Sequence, residues 1–529
     1  MFYNSTNGFE YNDCISKGAC SVSPNISSMQ EVMFILLRQI AYYLIKLKEF
    51  DICKEDIIFD VISEIALIDA AKDLSEAQIL DAFSKQYINL VKCRKEYLKT
   101  CKEKDVQCDD LKNLMKFSPK TSLSSILKRG DKEFIHKYKK FNFEKKYYAE
   151  ILSGVIKSVC VNLLCLHELN QACTSAEDEV LKALNLFNAH RVQAEKIRVS
   201  TDALAKCDVE LLYLINASQV EKYGNIEKTD VSLSTRPNKA VMVSGSNLED
   251  LRKVLEAVEG KEIDVYTNGN LIVAHAFPYF KNSENLIGHF GTGSFNTILD
   301  FATFPGAILL TKNEAQNIEY LYRGRLFTTD DIAPKGVVKL ENDDFTPLIE
   351  SARQAKGFAK GQDRNSIVVG YDEDKFEEAI DNIINSNPDK IFIIGHSALS
   401  MHQKDYFKKF FSVMPKNSRA ISFSYDPGLD NVLTVNLGND YALIYSALHK
   451  ILNKIPITSD KLAFFLTKCD VNSLSNIINL KNNGAKNIFL SDCPPTVINP
   501  AVLRSFNKLF GVHAITNPKD DLELLNKVE

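Results

Sequence analysis

The chain has 529 residues, 45% apolar and 25% charged, with 12 cysteines and a formal charge of −4, which is too long for one hydrophobic core and points to about three domains. The near-neutral balance without a basic tract gives no electrostatic reason to expect nucleic acid or an anionic membrane as partner. The opening residues Met1-Phe-Tyr-Asn-Ser-Thr6 lack the basic-then-apolar build of a secretory signal and no uninterrupted membrane span stands out, so the expected location is cytoplasmic.

From Ser28 to about Ala217 the pattern is helical. Ser28-Met-Gln-Glu31 reads as a capping box, in which a serine accepts from the third helical N–H while the glutamate reaches back. It opens the amphipathic run Val32–Leu47. Further helical periods fall at Ile57–Ala71, Glu76–Lys104, Glu144–Leu166 and Ala176–Lys196, with polar breaks such as Phe117-Ser-Pro-Lys-Thr-Ser122 between them. Long helices joined by short polar turns predict antiparallel bundles.

After Thr235-Arg-Pro-Asn-Lys239 the texture changes to short apolar segments alternating with helices. They lie at Ala240–Val243, Leu248–Val258, Asp264–Tyr266 and Ala307–Leu310, followed by a helix through Phe345–Ala359. A second run follows Gly361-Gln-Asp-Arg-Asn365. Its strands are expected at Ser366–Val369, Ile391–Ile394, Ala420–Phe423, Leu462–Leu466 and Asn487–Leu490, and its helices at Asp374–Asn385, Tyr441–Leu452, Ser473–Asn483 and Ala501–Phe510. Such alternation predicts parallel sheets. The expected fold is multidomain α and α/β: a helical-bundle domain over 1–225, then two Rossmann-like α/β domains with mainly parallel sheets over 226–362 and 363–529.

Ten of the 12 cysteines lie between Cys14 and Cys207, and the other two are Cys469 and Cys493. A disulfide framework is unusual in a large chain without an export signal. Cys53, Cys93, Cys101, Cys108, Cys160, Cys165, Cys173 and Cys207 fall in helix-like segments and read as small buried residues or free thiols. In parallel sheets, function gathers beyond the carboxyl ends of the strands. The loops expected there carry hydroxyls, amides and carboxylates, with few thiols or histidines in ligand spacing.

Three stretches carry a family likeness: Val265-Tyr-Thr-Asn-Gly-Asn-Leu-Ile-Val-Ala-His-Ala-Phe-Pro278, Leu286-Ile-Gly-His-Phe-Gly291 and Phe304-Pro-Gly-Ala-Ile-Leu-Leu-Thr-Lys-Asn-Glu314. Tyr322–Thr329, Asp344–Glu350, Asn439-Asp-Tyr441, Gly484–Ile488 and Pro494–Val502 continue it to the C-terminus. The chain resembles the hybrid-cluster (prismane) proteins, the hydroxylamine reductase family. That resemblance implies an N-terminal 4Fe-4S cluster on four cysteines, in the spacing Cys-x2-Cys-x7-Cys-x5-Cys. Tyr3 and Thr6 occupy the first two of those places, and Cys14 and Cys20 the last two. It also implies a hybrid iron–sulfur–oxygen cluster. Its histidine place falls on Ser246, its first glutamate on Asn270, four cysteine places on Glu314, Ser397 (the persulfide position), Asp426 and Gly438, and its last glutamate on Asp470.

Iron–sulfur clusters need soft thiolate donors, which hydroxyl, amide and glycine do not replace. No cluster cofactor is therefore expected, and the leading expectation is a catalytically inactive homologue, a pseudoenzyme acting as a binding, regulatory or structural protein. It would pair with itself as a homodimer or with an active paralogue. The alternative is the family's own activity, an iron–sulfur oxidoreductase reducing hydroxylamine or nitric oxide. A third possibility is a repurposed divalent-metal site in which Glu314, Asp426 and Asp470 supply oxygen, with nitrogen from His289 and His396. The plain counter-reading is drift, with polar residues pairing locally, for instance with Arg323 or Arg325. Gly288–Ser294 resembles a phosphate cradle without its lysine. His275 reads equally as a cavity-lining or a hydrogen-bonded core histidine.

Overall fold

The computed structural model describes residues 24–70, 76–115, 122–130, 143–189, 192–291, 297–311, 324–330, 333, 336–395, 401–423, 426–468, 470–491 and 510–527. The chain divides into two compact units. One comprises residues 1–211, 469–482 and 493–510, and the other 212–468, 483–492 and 511–529.

The first unit is helical. Helix α1 (Pro24–Lys48) starts at the proline, whose missing N–H costs nothing in a first turn. Ser28, expected as its cap, therefore lies one turn inside. Leu36, Leu37, Ile40, Ala41, Tyr43, Leu44 and Leu47 bury one broad face against α3 (Glu76–Glu103) and α5 (Thr174–Leu186). After α3 the chain reverses through Asp105 in the left-handed region, and Val106 N–H closes on the Cys101 carbonyl. The following loop is pinned back: Tyr97 Oη accepts from Asp109 N–H at 3.0 Å, and Arg94 forks onto the Asp110 carboxylate. That pair holds the Asp110 carboxyl below its usual range.

Helix α4 (Phe143–Glu168) carries a stretch, Tyr148–Glu168, long and apolar enough to cross a membrane by length and composition. Most of that stretch is buried within the protein, where α4 packs against α2 (Glu55–Ala70), α5 and the later helix α13 (Val471–Asn482). The helix expected over Ala176–Lys196 is instead two. It stops at Leu186, where Asn188 donates to the Arg38 carbonyl at 2.6 Å, and α6 (Ala194–Tyr223) begins afresh. All eight cysteines described are free thiols. Cys53, Cys108 and Cys173 sit outside the helices that were expected to hold them.

The second unit holds two six-stranded parallel sheets. The first runs in the order β4-β3-β2-β5-β6-β7, with β2 (Lys239–Ser244), β3 (Ile263–Asn268), β4 (Leu286–His289), β5 (Ala307–Leu310), β6 (Leu326–Thr328) and β7 (Val338–Lys339). Helix α7 (Leu248–Val258) follows β2, and α8 (Thr297–Thr303) precedes β5; α9 (Thr346–Gln354) closes the run. The expected helix through Ala359 ends early because Gly357 takes a left-handed conformation and Phe358 bridges to Asn238. The second sheet runs β11-β10-β9-β12-β13-β14, with β9 (Ile391–Ile394), β10 (Arg419–Ser422), β11 (Val432–Thr434), β12 (Leu462–Leu466), β13 (Asn487–Leu490) and β14 (Val512–Ala514). Its helices are α10 (Glu373–Asn385), α11 (Met401–Val413), α12 (Tyr441–Lys454), α13 (Val471–Asn482) and α14 (Pro518–Lys527).

Two features differ from expectation. Strand β8 (Ser366–Val369), read as part of the second parallel sheet, pairs antiparallel with β1 (Thr229–Ser232) in a separate ribbon. Helix α13 lies within the stretch expected as the second α/β domain, yet belongs to the helical unit. Its Leu474, Ile477 and Ile478 are buried. The approach to α4 is possible because residue 154 is glycine: a Cβ there would lie 2.5 Å from Leu474 Cδ2.

The second sheet's core is aromatic. Phe465 stacks on Phe489 at 4.8 Å and meets Phe410 edge-on at 5.0 Å. Phe465→Ala removes a fully buried ring and both contacts, and its expected cost is about 3–5 kcal/mol of stability, read from a chemical denaturation curve.

Candidate functional site

In both sheets the strand order reverses once, between β2 and β5 in the first and between β9 and β12 in the second. Loops diverging from such a point leave a crevice beyond the strand ends, where doubly wound folds bind ligands. In the first sheet the described loops at that point are linked by polar groups. Thr311 N–H donates to the Ser244 carbonyl at 2.8 Å, and Thr311 Oγ1 accepts from the backbone N–H groups of Ser246 and Asn247 at 3.1 and 3.3 Å. The Asn247 side chain then caps α7 by accepting from Glu249 and Asp250 N–H.

Asn270 lies just past β3 in a 3-10 segment, Gly269–Ala276. Leu271 N–H donates to the Gly245 carbonyl, tying this segment to the loop of Ser246. From the second sheet, Asn439 Nδ2 donates to Asn270 Oδ1 at 2.5 Å. Gly438 presses on the same residue: a Cβ at 438 would stand 2.8 Å from the Asn270 carbonyl oxygen, and its backbone is left-handed at φ +61°. The loop is held by Gly438 N–H donating to Asn436 Oδ1, and by Asp440, which caps α12 and accepts from Gln219. Ser246, Asn270 and Gly438 are thus gathered at one place, reached from β2, β3 and β11.

Asp426 is exposed and engaged within its own turn, accepting from Gly428 N–H at 2.8 Å and from Thr434 Oγ1 at 3.3 Å. Asp470 belongs to the helical unit, where its Oδ1 accepts from Ser473 N–H at 2.8 Å at the start of α13. Arg325 donates to the Phe301 and Phe304 carbonyls at the end of α8. Tyr3, Thr6, Cys14, Cys20, Glu314, Arg323, His396, Ser397 and Cys469 lie outside the described residues. Among the described residues no three His, Cys, Asp or Glu side chains are grouped to hold a metal ion.

His289 lies in a buried relay at the ends of β3 and β4. Thr267 Oγ1 lies 2.9 Å from His275 Nε2 and 3.0 Å from His289 Nδ1. His275 also bonds the Gly288 backbone, so its Nδ1 carries the proton and its Nε2 accepts from the threonine hydroxyl. The hydroxyl oxygen must then accept from His289 Nδ1–H, which assigns both tautomers and leaves the His289 lone pair on Nε2. Burial pushes His275 down to about 4 and His289 down to about 3. This threonine bridge is a relation across strands, and no pattern in the linear sequence announces it. Of the two readings of His275, the hydrogen-bonded core histidine holds.

The chain matches the Prismane/CO dehydrogenase family over residues 10–419. It belongs to this family, and the resemblance to hybrid-cluster proteins is borne out. Among curated proteins it is 29% identical over 352 residues to a hydroxylamine reductase of Mannheimia succiniciproducens, covering 61% of this chain and 63% of that protein. It is 28% identical over 400 residues to the hydroxylamine reductase of Actinobacillus succinogenes, covering 68% and 71%. The match to the enzyme of Thermodesulfovibrio yellowstonii is 30% over 335 residues, covering 60% and 62%. The chain thus spans a little under two thirds of the length of two of these three relatives. A solved structure of the alpha subunits of acetyl-CoA synthase/carbon monoxide dehydrogenase, with NiZn[Fe4S4] and NiNi[Fe4S4] clusters, is similar at a TM-score of 0.48 and 10% identity, over 96% of this chain and 83% of that one.

Two outcomes are expected here. Gly438→Ala forces a Cβ into a left-handed, occupied position and lowers stability by about 1–3 kcal/mol in denaturant titration. Both imidazoles stay neutral, so histidine ring resonances of His275 and His289 do not titrate between pH 8 and pH 5 in NMR. Their folded values lie below the ordinary 6.5, so the stability they lend is lost as pH falls from about 6.5 towards 4.

Proposed function

We propose that this chain is a hybrid-cluster-family homologue that has lost its iron–sulfur clusters and redox catalysis and acts as a binding, regulatory or structural protein. One observation carries the reading. The seven positions that the family frame assigns to the hybrid cluster are Ser246, Asn270, Glu314, Ser397, Asp426, Gly438 and Asp470, and none offers a thiolate or an imidazole. Hydroxyl, amide and glycine supply none of these bonds, and Glu314 and Asp426 put hard carboxylate oxygen where the family frame has soft cysteine sulfur. The local duties of the described members support it: Asn270 with Asn439, Gly438 against a carbonyl, Asp426 in its turn and Asp470 at a helix start. Cys14 and Cys20 supply two of the four thiols that the N-terminal cluster would need. On this reading the retained scaffold serves association, with a second copy or with an active paralogue.

The competing reading, an iron–sulfur oxidoreductase acting on hydroxylamine, rests on the names of the relatives. A divalent-metal site through Glu314, Asp426 and Asp470 rests on three carboxylates at former cluster positions. Protein purified without oxygen separates the three. The expected product is colourless, with less than about a tenth of an equivalent of iron. Brown protein with several equivalents of iron and sulfide overturns the proposal in favour of the reductase. Colourless protein holding one equivalent of magnesium, manganese or zinc overturns it in favour of the carboxylate site.

A further inference from the structure

The helical unit encloses a polar cluster that the family site does not include. Asp208, on α6, is fully buried. Its Oδ2 lies 2.6 Å from Ser158 Oγ, and its Oδ1 lies 2.8 Å from Asn162 Nδ2. Ser158 Oγ is also 2.7 Å from Asn472 Oδ1, and Asn162 Nδ2 is 3.1 Å from that same oxygen. Ser158 and Asn162 belong to α4 and Asn472 to α13, so the cluster joins three helices.

Counting protons over these four contacts gives one answer. Ser158 has a single hydroxyl proton and two oxygen neighbours, so one of those short contacts lacks a donor if Asp208 is ionised. Turning the Asn472 amide alone sets two NH2 groups against each other. Turning Asn162 alone opposes two amide oxygens, and turning both points the Asn162 oxygen at Asp208 Oδ1. No amide orientation satisfies all four contacts unless the carboxyl supplies a proton. A bound cation does not solve the problem either, because oxygens 2.6 and 2.7 Å apart are at O–H···O separations.

We infer that Asp208 is held as a neutral carboxylic acid whose proton passes to Ser158, freeing the serine hydroxyl to hold Asn472 and with it helix α13. The cluster is a proton-operated latch between α13 and the α4–α6 pair. When the carboxyl ionises, Ser158 turns its proton to Asp208, and Asn472 is left facing a lone pair. The surroundings favour the neutral form. Burial pushes Asp208 up to about 6, hydrogen bonds from Ser158, from Ser475 on α13 and from Asn162 pull it part of the way back, and the like charge of Asp470 raises it. The other titratable neighbours, Cys160 on α4 and Cys207 on α6, have thiols raised by burial and carry no compensating positive charge. A folded value above the carboxylate's ordinary 3.8 means that stability falls as pH rises between about 4 and 6 and then levels off.

Asp208→Asn places an NH2 where the acid proton stood and tests the latch in the full chain. At pH 8 the variant is expected to melt on the order of 5 °C above the parent, with the gap closing towards pH 4. Hydrogen exchange of residues 471–482, corrected for intrinsic rate, is expected to slow in the variant at pH 8. A variant that melts below the parent at pH 8, or a gap that does not change with pH, overturns the inference. Should the variant fail to fold, difference infrared spectra of the parent across pH 4 to 8 decide: a protonated-carboxyl stretch lost with Ser158→Ala supports the latch, and one unchanged by it overturns the latch.

Discussion

All six strands in each large sheet run parallel, and the rest of the second unit follows from that. Parallel neighbours cannot be joined by a tight turn, so every connection crosses back over a face, and every loop after a strand emerges at the same edge. The loops of Ser246 and Asn270 meet for this reason, and the loop of Gly438 reaches them from the second sheet. Where such an edge is left open it becomes a binding crevice. Here the described loops at the edge of the first sheet are engaged: Thr311 answers Ser246 and Asn247 within that sheet, while Asn439 from the second sheet answers Asn270 and Gly438 stands against the Asn270 carbonyl.

Much of this layout was legible in the chain. Runs such as Ile391–Ile394 and Ile488–Leu490 are buried on both faces, so they read as uninterrupted apolar segments. The helices α7, α10 and α12 show their period plainly. What escaped were strands too short or too polar to stand out: β4 contains Gly288 and His289, while β6, β7 and β11 have two or three residues each. β8 shows in the chain as the short run Ile367–Val369, which says nothing about the strand it pairs with. Helix α13 was likewise placed by period and length, and its membership of the helical unit turned on a missing side chain at Gly154.

The site was legible as a set of positions and not as a set of bonds. Family spacing marks Ser246, Asn270 and Gly438, but not that Asn270 would meet Asn439. Nor does it show that Asp470 would start a helix while Asp426 closes a turn. Asp208 was missed altogether. A carboxylate inside an amphipathic helix reads as solvated, and only the packing of three helices around it turns it into an interior group.

Because Thr267 has one hydroxyl to share between two neutral imidazoles, the second unit tolerates acid poorly. A proton on His275 Nε2 removes the acceptor of the Thr267 hydroxyl, and a proton on His289 Nε2 brings a charge into a buried site. The helical unit, with its buried acid, responds in the opposite sense over the overlapping range. Mild acid thus pulls the two units apart in thermal resistance, without changing a residue.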